Sequence, residues 1–224
     1  MKPILFNTDM VRAILDGRKT VTRRIAKDIK DYLNCTCNTR YYFDSNNHVF
    51  YCMGCGYPLM RDGGFFLQSP YQPGDILYVR ETWSPVFVHP KRYLYKADVD
   101  AGQGEGVGLP IKWHPSIHMP KEAARIFIRV TDVRVEQLQE ISGGELLNEG
   151  VDLFQSNFVR VAFDEFSTLW DSTISKKELS LYGWDANPWV WVIEFERCEK
   201  PLQNAGAGAD ATQFADQPVL MPAT

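Results

Sequence analysis

Apolar residues recur at helical spacing in three stretches of the chain. The first begins at Thr8, a candidate N-cap, and ends at Gly17, which suits a left-handed C-cap; its apolar residues are Met10, Val11, Ile14 and Leu15. In the second, Ser142 and Glu145 form a capping-box pattern that opens a short helix ending at Gly150. The third predicts the clearest amphipathic helix of the chain, with an apolar face of Phe158, Val159, Ala162, Phe163, Phe166, Leu169 and Trp170.

Three further stretches have the pattern of β-strands. Residues 76–83 follow a turn at 72–75 and form a strong strand candidate, and residues 125–135 form a second. Residues 189–196 alternate, and their large apolar face consists of Trp189, Trp191, Ile193 and Phe195. Several strands with about three short helices predict an α+β fold or a covered barrel rather than a parallel α/β fold.

The periodic patterns stop in two places. Residues 31–72 are marked by Asn, Gly, Tyr and four of the five cysteines, and we interpret them as an insertion in a domain that spans residues 1–198. Residues 199–224 are small, polar and aperiodic. This composition predicts a disordered tail.

The cysteines of the insertion stand in two close pairs. Cys35-x-Cys37 and Cys52-x-x-Cys55 are separated by fourteen residues, a spacing that suits a tetrahedral four-cysteine zinc site. Because four thiolates leave no open coordination position, the zinc is predicted to be structural and to fold a zinc-ribbon-like insertion. Four unrelated buried cysteines or an artefactual pair of disulfides are the alternatives, and His48 is the candidate replacement ligand if one cysteine does not bind.

Composition excludes several classes of protein. The 224 residues include 24 Lys and Arg against 28 Asp and Glu, a formal net charge of −4, and 45% apolar residues. These values are ordinary for a globular protein and exclude a generally basic chain that coats nucleic acid or a membrane. The N-terminus lacks the pattern of a signal peptide, and no run of 18 apolar residues occurs. We therefore expect a cytoplasmic protein with no membrane partner.

Positive charge is nevertheless concentrated between residues 12 and 27, which we call the basic segment. It has six cations and one acid, a local charge of about +5. In a net-acidic protein this is a candidate site for an anion such as phosphate. The alternative is a solvated loop whose cations complement the C-terminus of the preceding helix. The six cations are Arg12, Arg18, Lys19, Arg23, Arg24 and Lys27.

Two carboxylates stand where local preference disfavours them. Glu149 closes a short helix, where the macrodipole disfavours an anion by about 0.3–1 kcal/mol. This unfavourable placement predicts that Glu149 has a cationic partner or a function that needs a raised pKa. Glu81 shares a strand face with Leu77, Val79 and Trp83, and an acid there needs a buried partner or lines a pocket. For both, a carboxylate in water at an edge position is the alternative. Most tryptophans at strand spacing are predicted core residues, and one or two beside the basic segment could stack a nucleobase. The candidates are Trp83, Trp113, Trp184, Trp189 and Trp191.

The segment Gly17-Arg-Lys19-Thr-Val-Thr22-Arg-Arg24 resembles the G-x-K-x-x-x-x-R signature of ASCH domains, which belong to the PUA-like superfamily of small β-barrels. Later segments are similar to the longer ASCH subtype common in phages and prophages. They extend the resemblance to about Arg197, with the cysteine-rich segment as an insertion: QPGDILYVRETW, KWHPSIHMP, TDVRVEQLQEIS and YGWDANPWVWVIEFER. The resemblance implies a PUA-like β-barrel with short packed helices, and recognition of RNA or modified nucleosides.

The same resemblance implies three catalytic residues. Small ASCH amidohydrolases remove the acyl group from N4-acetylcytidine; Lys19 and Thr22 match two positions of their motif, and Glu149 is the best match to the third. In that scheme Thr22 Oγ is the nucleophile, Lys19 is its base, and Glu149 orients the lysine, while Arg24 helps to bind an anion or to hold the cleft. A lysine acts as a base only if its pKa falls by several units, which burial and neighbouring arginines favour and Glu149 opposes.

We therefore expect recognition of RNA or a modified nucleobase in a basic cleft, with hydrolysis of an N4-acylated cytidine as an extension. The net charge of −4 favours a nucleoside or a short strand over long nucleic acid. The alternatives are a non-catalytic RNA-binding module and a phage-encoded zinc-ribbon adaptor that binds another protein. Besides the three catalytic candidates, the predicted cleft residues are Gly17, Arg18, Arg23, Arg24, Glu81 and Trp83.

Overall fold

The structure is a computed structural model that describes residues 1–27, 29–32, 37, 39–61, 64–86, 92–99, 111–151 and 159–201. Its helices are α1 (Thr8–Leu15), α2 (Lys96–Asp98), α3 (Gly143–Asn148), α4 (Val159–Ser172) and α5 (Leu179–Tyr182). Its strands are β1 (Lys2–Leu5), β2 (Val21–Ile25), β3 (Tyr41–Asp44), β4 (Val49–Cys52), β5 (Met60–Arg61), β6 (Phe65–Phe66), β7 (Ile76–Arg80), β8 (Trp83–Val86), β9 (Arg92–Tyr95), β10 (Phe127–Gln137) and β11 (Trp189–Cys198).

One seven-stranded sheet organises the chain. Its main path runs β1–β7–β10–β11–β2, in which β1 and β7 are parallel and the other neighbours are antiparallel. The long strand β10 pairs with β7 near its start and with β3 near its end, and β3 pairs with β4. The predicted α+β class is confirmed. Among the strands that the structure describes, no closed barrel is detected.

The cysteine-rich segment is attached to this sheet by its first hairpin. β3 and β4 form the hairpin, and Tyr41 and Tyr42 of β3 pair with Val135 and Arg134 of β10. Farther along the segment, β5 and β6 form a separate two-stranded sheet. The insertion therefore extends the main sheet, which the sequence pattern did not indicate.

The sheet is covered on both faces, and β11 shows how. Trp189, Trp191, Ile193 and Phe195 pack into the larger core, together with residues of α1 such as Val11 and Ile14. The alternate residues Val190 and Val192 pack on the other face with Phe166 and Trp170 of α4. This alternation agrees with the predicted face, and burial of both faces explains the nearly continuous apolar sequence of the strand.

The capping residues in the sequence predicted most helix ends correctly. Asn7, rather than Thr8, caps α1, since its side chain accepts a hydrogen bond from the Met10 amide at 2.9 Å. Gly17 follows the helix with the positive φ of 76° that its position predicted. The capping box of Ser142 opens α3 as expected.

Two predicted segments differ from the observed structure or extend beyond what it describes. The strand predicted at 76–83 is broken: β7 ends at Arg80, and β8 begins at Trp83. The Glu81 amide between them donates to the Met119 sulfur at 3.2 Å instead of to a strand. Of the predicted tail, residues 202–224 lie outside the described residues. None of the described helices is long and apolar enough to cross a bilayer.

Candidate functional site

The ammonium group of Lys19 lies buried between α1 and β2. Its Nζ donates to Glu149 Oε2 at 2.6 Å, to the Glu149 carbonyl at 2.9 Å and to the Val21 carbonyl at 2.8 Å. All three ammonium protons therefore have an acceptor, which is the full capacity of a lysine. The Lys19 side chain is 0% exposed and that of Glu149 is 4% exposed. Glu149 thus has the cationic partner that its position at the helix end predicted.

The chain positions Lys19 through the ends of two helices. After α1, the amides of Arg18 and Lys19 both donate to the Ala13 carbonyl. After α3, Glu149 forms an isolated β-bridge with Lys19. Gly150 follows with φ of 89°, and a Cβ at this position would lie 2.8 Å from the Cβ of Ala13 and 3.1 Å from that of Lys19. The lysine stem therefore packs directly against the backbone of Gly150.

Burial lowers the pKa of Lys19, and the carboxylate of Glu149 opposes this effect. Arg24 and Arg23 add smaller contributions that lower the pKa further. The environment thus moves the Lys19 pKa in the direction that a catalytic base needs, while its three hydrogen bonds stabilise the charged form.

A buried charge network extends from Glu149 across the sheet. Arg23 donates to Glu149 Oε1 at 3.1 Å and to Glu136 Oε1 at 2.7 Å. Glu136 lies 3.2 Å from Arg134 Nε and 3.4 Å from Arg40 Nε of the cysteine-rich segment. Sequence reasoning missed Glu136 and Arg134, although both interrupt the apolar pattern of β10 two residues apart. Charges on one face of a core strand were the available signal.

Most cations of the basic segment are paired with a carboxylate, and two of these pairs are buried. Five of its six cations have a carboxylate partner, in the pairs Arg12–Asp9, Arg18–Asp16, Lys19–Glu149, Arg23–Glu136 and Lys27–Glu178. Within the described part of the chain, Arg24 has none: its guanidinium donates to the carbonyls of Leu5 at 2.8 Å and of Arg23 at 3.2 Å. It also lies 5.2 Å from the ring centroid of Phe6. Burial lowers the pKa of Arg24, against the opposing effects of Glu149 and Tyr71.

A cavity of about 270 Å³ opens beside this cluster. Within the described ranges, Arg23 Nε is buried without a hydrogen-bond partner, and the Arg23 side chain is 1% exposed. The cavity thus joins the Glu149 carboxylate and the Arg24 guanidinium, which has no carboxylate partner among the described residues, to an apolar wall. Its main lining residues are Met10, Arg23, Arg24, Ile25, Glu149, Phe166 and Trp170.

Thr22 lies outside this cavity. It is 1% exposed and opposes Ile193 in the ladder between β2 and β11, on the other face of β2 from Arg23. The three acceptors of Lys19 Nζ do not include the Thr22 hydroxyl. Lys19, Glu149, Arg23 and Arg24 are therefore brought together, whereas Thr22 faces the core that contains Trp191.

The other predicted cleft residues lie elsewhere. Arg18 is exposed and donates to Asp16 and to the Gly150 carbonyl, and Gly17 has no atoms within 4 Å of the place where a Cβ would be. Trp83 packs against His114 and Tyr93 at centroid distances of 5.3 and 5.6 Å. None of these residues is among those lining the cavity.

Glu81 belongs to a second ion-pair cluster. Its oxygens accept from Arg125 Nε at 2.9 Å and from the same guanidinium at 3.0 Å, and Arg125 also donates to Asp98 at 2.7 Å. Burial raises the pKa of Glu81, and Arg125 opposes the shift. Of the two expectations for this acid, a buried partner or a position lining a pocket, the structure shows the partner. It is Arg125, which sequence reasoning did not identify.

Three of the four candidate zinc ligands lie together. The sulfurs of Cys37, Cys52 and Cys55 are all within 4.8 Å of one another and could hold a metal ion; Cys35 lies outside the described residues. Gly54 makes room for the cluster, since a Cβ there would lie 3.2 Å from the Cβ of Cys37. Because thiolates prefer soft or borderline ions, this donor set suits zinc.

Comparisons with known proteins give one structural neighbour. No family model matches the chain, and no curated protein sequence matches it. A crystal structure of protein EF3133 from Enterococcus faecalis V583, described under the family model DUF984, is 10% identical with a TM-score of 0.40. That match covers 88% of this chain and 80% of the other.

Proposed function

We propose that the chain binds a nucleobase or nucleoside in the cavity beside Lys19 and Glu149. The observation that supports this most is the cavity itself, which brings the Glu149 carboxylate and the Arg24 guanidinium beside the apolar side chains of Phe166 and Trp170. Donor and acceptor groups with an apolar wall suit a small heterocyclic ligand.

The paired charges favour a small ligand over a long RNA. Since five cations of the basic segment already have carboxylate partners, little positive charge is left for a phosphate backbone. Arg24 remains available for one anionic group, such as the phosphate of a nucleotide.

The binding test is calorimetric titration of the full chain with N4-acetylcytidine and with cytidine 5′-monophosphate. Arg24→Gln is expected to weaken binding of the monophosphate about tenfold or more, because a charge-assisted contact is lost. Arg18→Gln, an exposed arginine of the same segment, is the matched control and should bind as the wild type does. If no nucleoside or nucleotide binds to the folded wild type, the proposal is wrong. Salt-dependent binding of a short RNA alone would support the RNA-binding module instead.

Hydrolysis of an N4-acyl amide is a second candidate, favoured by the 2.6 Å contact between Lys19 and Glu149. In this proposal Thr22 Oγ attacks the acyl carbon while Lys19 accepts the hydroxyl proton, and Lys19 returns that proton to N4 as the C–N bond breaks and cytidine leaves. Water then hydrolyses the threonine ester to a carboxylic acid and restores the Thr22 hydroxyl. Lys19 must first lose a proton. Because Thr22 lies on the opposite face of β2 from Arg23, the backbone of β2 must also rearrange to bring the Thr22 hydroxyl to the cavity.

Product formation separates hydrolysis from binding. Thr22→Val is nearly isosteric and should abolish release of cytidine from N4-acetylcytidine, whereas Thr20→Val, at an exposed neighbouring threonine, should not. Chromatography of the products measures both. If the wild type binds N4-acetylcytidine but releases no cytidine, the binding function remains and hydrolysis is wrong.

The proposal extends to the family of the chain and to its metal ion. We propose that the chain is a long, phage-type ASCH protein, supported by the contact between two positions of the motif, Lys19 and Glu149. A structural zinc ion is held by Cys37, Cys52 and Cys55, with Cys35 as the fourth ligand. The zinc stabilises the hairpin that extends the main sheet. A zinc-dependent protein adaptor is the remaining alternative, and it predicts partner binding that is unaffected by changes at Lys19.

A further inference from the structure

Strand β2 forms one edge of the main sheet. It ends the path β1–β7–β10–β11–β2, so one side of the strand pairs with β11 and the other has no strand in the described sheet. The Ala26 amide donates to the Trp189 carbonyl, and the Phe195 amide donates to the Thr20 carbonyl. Since antiparallel pairing uses alternate residues, the even-numbered residues 20–26 bond to β11. The odd-numbered residues 21, 23 and 25 direct their backbone groups to the free edge.

Two side chains of the site already occupy part of this edge. Lys19 Nζ caps the Val21 carbonyl at 2.8 Å, and Arg24 caps the Arg23 carbonyl at 3.2 Å. The amide of Arg23 and both backbone groups of Ile25 have no partner among the described residues. Arg23, Arg24 and Ile25 all line the 270 Å³ cavity. The open part of the edge therefore borders the proposed binding cavity.

This pattern favours a planar heterocycle over an added peptide strand. A peptide that extends the sheet needs successive alternate residues of the edge, but the carbonyls at 21 and 23 are capped. Ile25 alone presents an adjacent donor and acceptor, the amide and the carbonyl of one residue. A cytosine-type base has the complementary arrangement, with the acceptor N3 beside the N4–H donor, and N4-acylation retains both groups.

We infer that the main chain of Ile25 at the free edge of β2 reads the N3/N4–H edge of a cytosine-type base. The Ile25 amide donates to N3, and the Ile25 carbonyl accepts from N4–H, while Glu149 remains for the other polar groups of the ligand. The inference rests on the proposed function, because it specifies how the base is recognised there. Ile25 is thus a specificity-determining position through its backbone.

The test variant removes the N–H of residue 25 and keeps an apolar side chain at that position. Ile25→Pro lacks the N–H, and proline is tolerated on an edge strand where that N–H faces away from the sheet. Ile25→Val keeps the amide and is the matched control. We expect Ile25→Pro to weaken binding of N4-acetylcytidine about tenfold or more in calorimetric titration, and Ile25→Val to bind like the wild type. Circular dichroism and thermal unfolding check the fold of both variants.

A ligand change keeps the test decisive if Ile25→Pro does not fold. The 3-deaza analogue of N4-acetylcytidine lacks the N3 acceptor and should bind the wild type about tenfold more weakly. In amide NMR spectra of the wild type, N4-acetylcytidine should shift the Ile25 resonance strongly and the exposed Lys27 resonance little.

The outcomes separate this inference from the proposed function. Failure of the wild type to bind any nucleoside overturns both. Nucleoside binding with an unshifted Ile25 amide, or with equal affinity for the 3-deaza analogue, overturns the inference alone. If an extended Thr–Val hexapeptide shifts the amides of Val21, Arg23 and Ile25 and N4-acetylcytidine shifts none, the edge binds peptides and the inference is wrong.

Discussion

At the scale of single residues, Glu149 holds two buried cations at once. Its Oε2 lies 2.6 Å from Lys19 Nζ, and its Oε1 lies 3.1 Å from Arg23. Removal of one partner from a buried ion pair leaves an uncompensated charge in a poorly solvated place, and this costs more than the pair itself contributes.

Glu149→Gln is therefore expected to lower the free energy of unfolding by about 3 kcal/mol. Urea denaturation measures the change. Glu178→Gln is the matched control: it removes a carboxylate from the exposed pair with Lys27 and should produce no resolvable change, because water already screens that pair. Equal effects of the two substitutions would contradict the importance of the buried network.

Glu145 adds a dependence of stability on pH. Burial by itself would raise its pKa, but hydrogen bonds from Ser142 and the nearby Arg23 and Arg134 hold the pKa below the ordinary 4.5. The unfolded chain therefore takes up this proton at a higher pH than the folded one. The stability contributed by the Glu145 charge is complete above about pH 4.5 and is lost as the pH falls through the lower folded value.

Urea unfolding of the wild type and of Glu145→Gln between pH 3 and pH 7 tests this expectation. The difference in unfolding free energy should be constant near neutrality and should shrink with acidification below about pH 4.5. A difference that stays the same down to pH 3 would mean that the Glu145 charge does not stabilise the fold.

At the scale of elements, the turn after α3 determines where Lys19 lies. Gly150 has φ of 89°, and a Cβ there would stand 2.8 Å from the Cβ of Ala13 and 3.1 Å from that of Lys19. A side chain would be strained by its own backbone and would displace both neighbours.

Gly150→Ala is expected to destabilise the protein by about 1–3 kcal/mol in urea unfolding. Gly144→Ala is the control, and it is expected to raise the free energy of unfolding rather than lower it. Gly144 lies in α3 with no atoms within 4 Å of a Cβ, so alanine should stabilise by about 0.5–1 kcal/mol through helix propensity. A neutral Gly150→Ala would show that the contact between Gly150 and the lysine stem relaxes freely.

The helices whose ends are marked by capping residues were the part of the fold that could be predicted from the sequence. The capping box of Ser142 and the left-handed Gly17 depend on a few neighbouring residues, and α1 and α3 formed where they indicated. The break between β7 and β8 was not predictable, because it depends on contacts of Glu81 with Met119 and Arg125, which are distant in sequence.

At the scale of the whole molecule, the cysteine cluster lies at the end of a hairpin that pairs with the sheet carrying the site. Cys52 ends β4, and β4 pairs with β3, which pairs with β10. Arg40, just before β3, lies 3.4 Å from the buried Glu136. A metal at the cysteines would thus stabilise a part of the sheet that contacts the charge network.

We expect about one zinc ion per chain in protein purified with zinc present, and a chelator should lower the melting temperature by about 4 °C or more. Cys55→Ser should lose zinc, whereas Cys198→Ser, a cysteine outside the cluster, should retain it. Elemental analysis and thermal unfolding provide the measurements. Wild-type protein without zinc, and with an unchanged melting temperature under chelation, would contradict the proposed site.

The sequence by itself determined the α+β class, most helices, the apolar strand at 189–196 and the candidate pairs of cysteines, because each depends on composition or on short-range periodicity. It also marked Glu149 as a misplaced acid, with a cationic partner or a function that needs a raised pKa, since the cost of an anion at a helix C-terminus is local.

Only the tertiary structure decided which cation Glu149 contacts, which cations of the basic segment are neutralised, and that Thr22 and Lys19 have separate surroundings. It also decided that β3 joins β10 and that β2 is left as an edge beside a cavity. The physical reason is that ion pairing and strand order depend on residues more than 100 positions apart, such as Lys19 and Glu149. No local pattern encodes which partner will lie within about 3 Å of a buried charge.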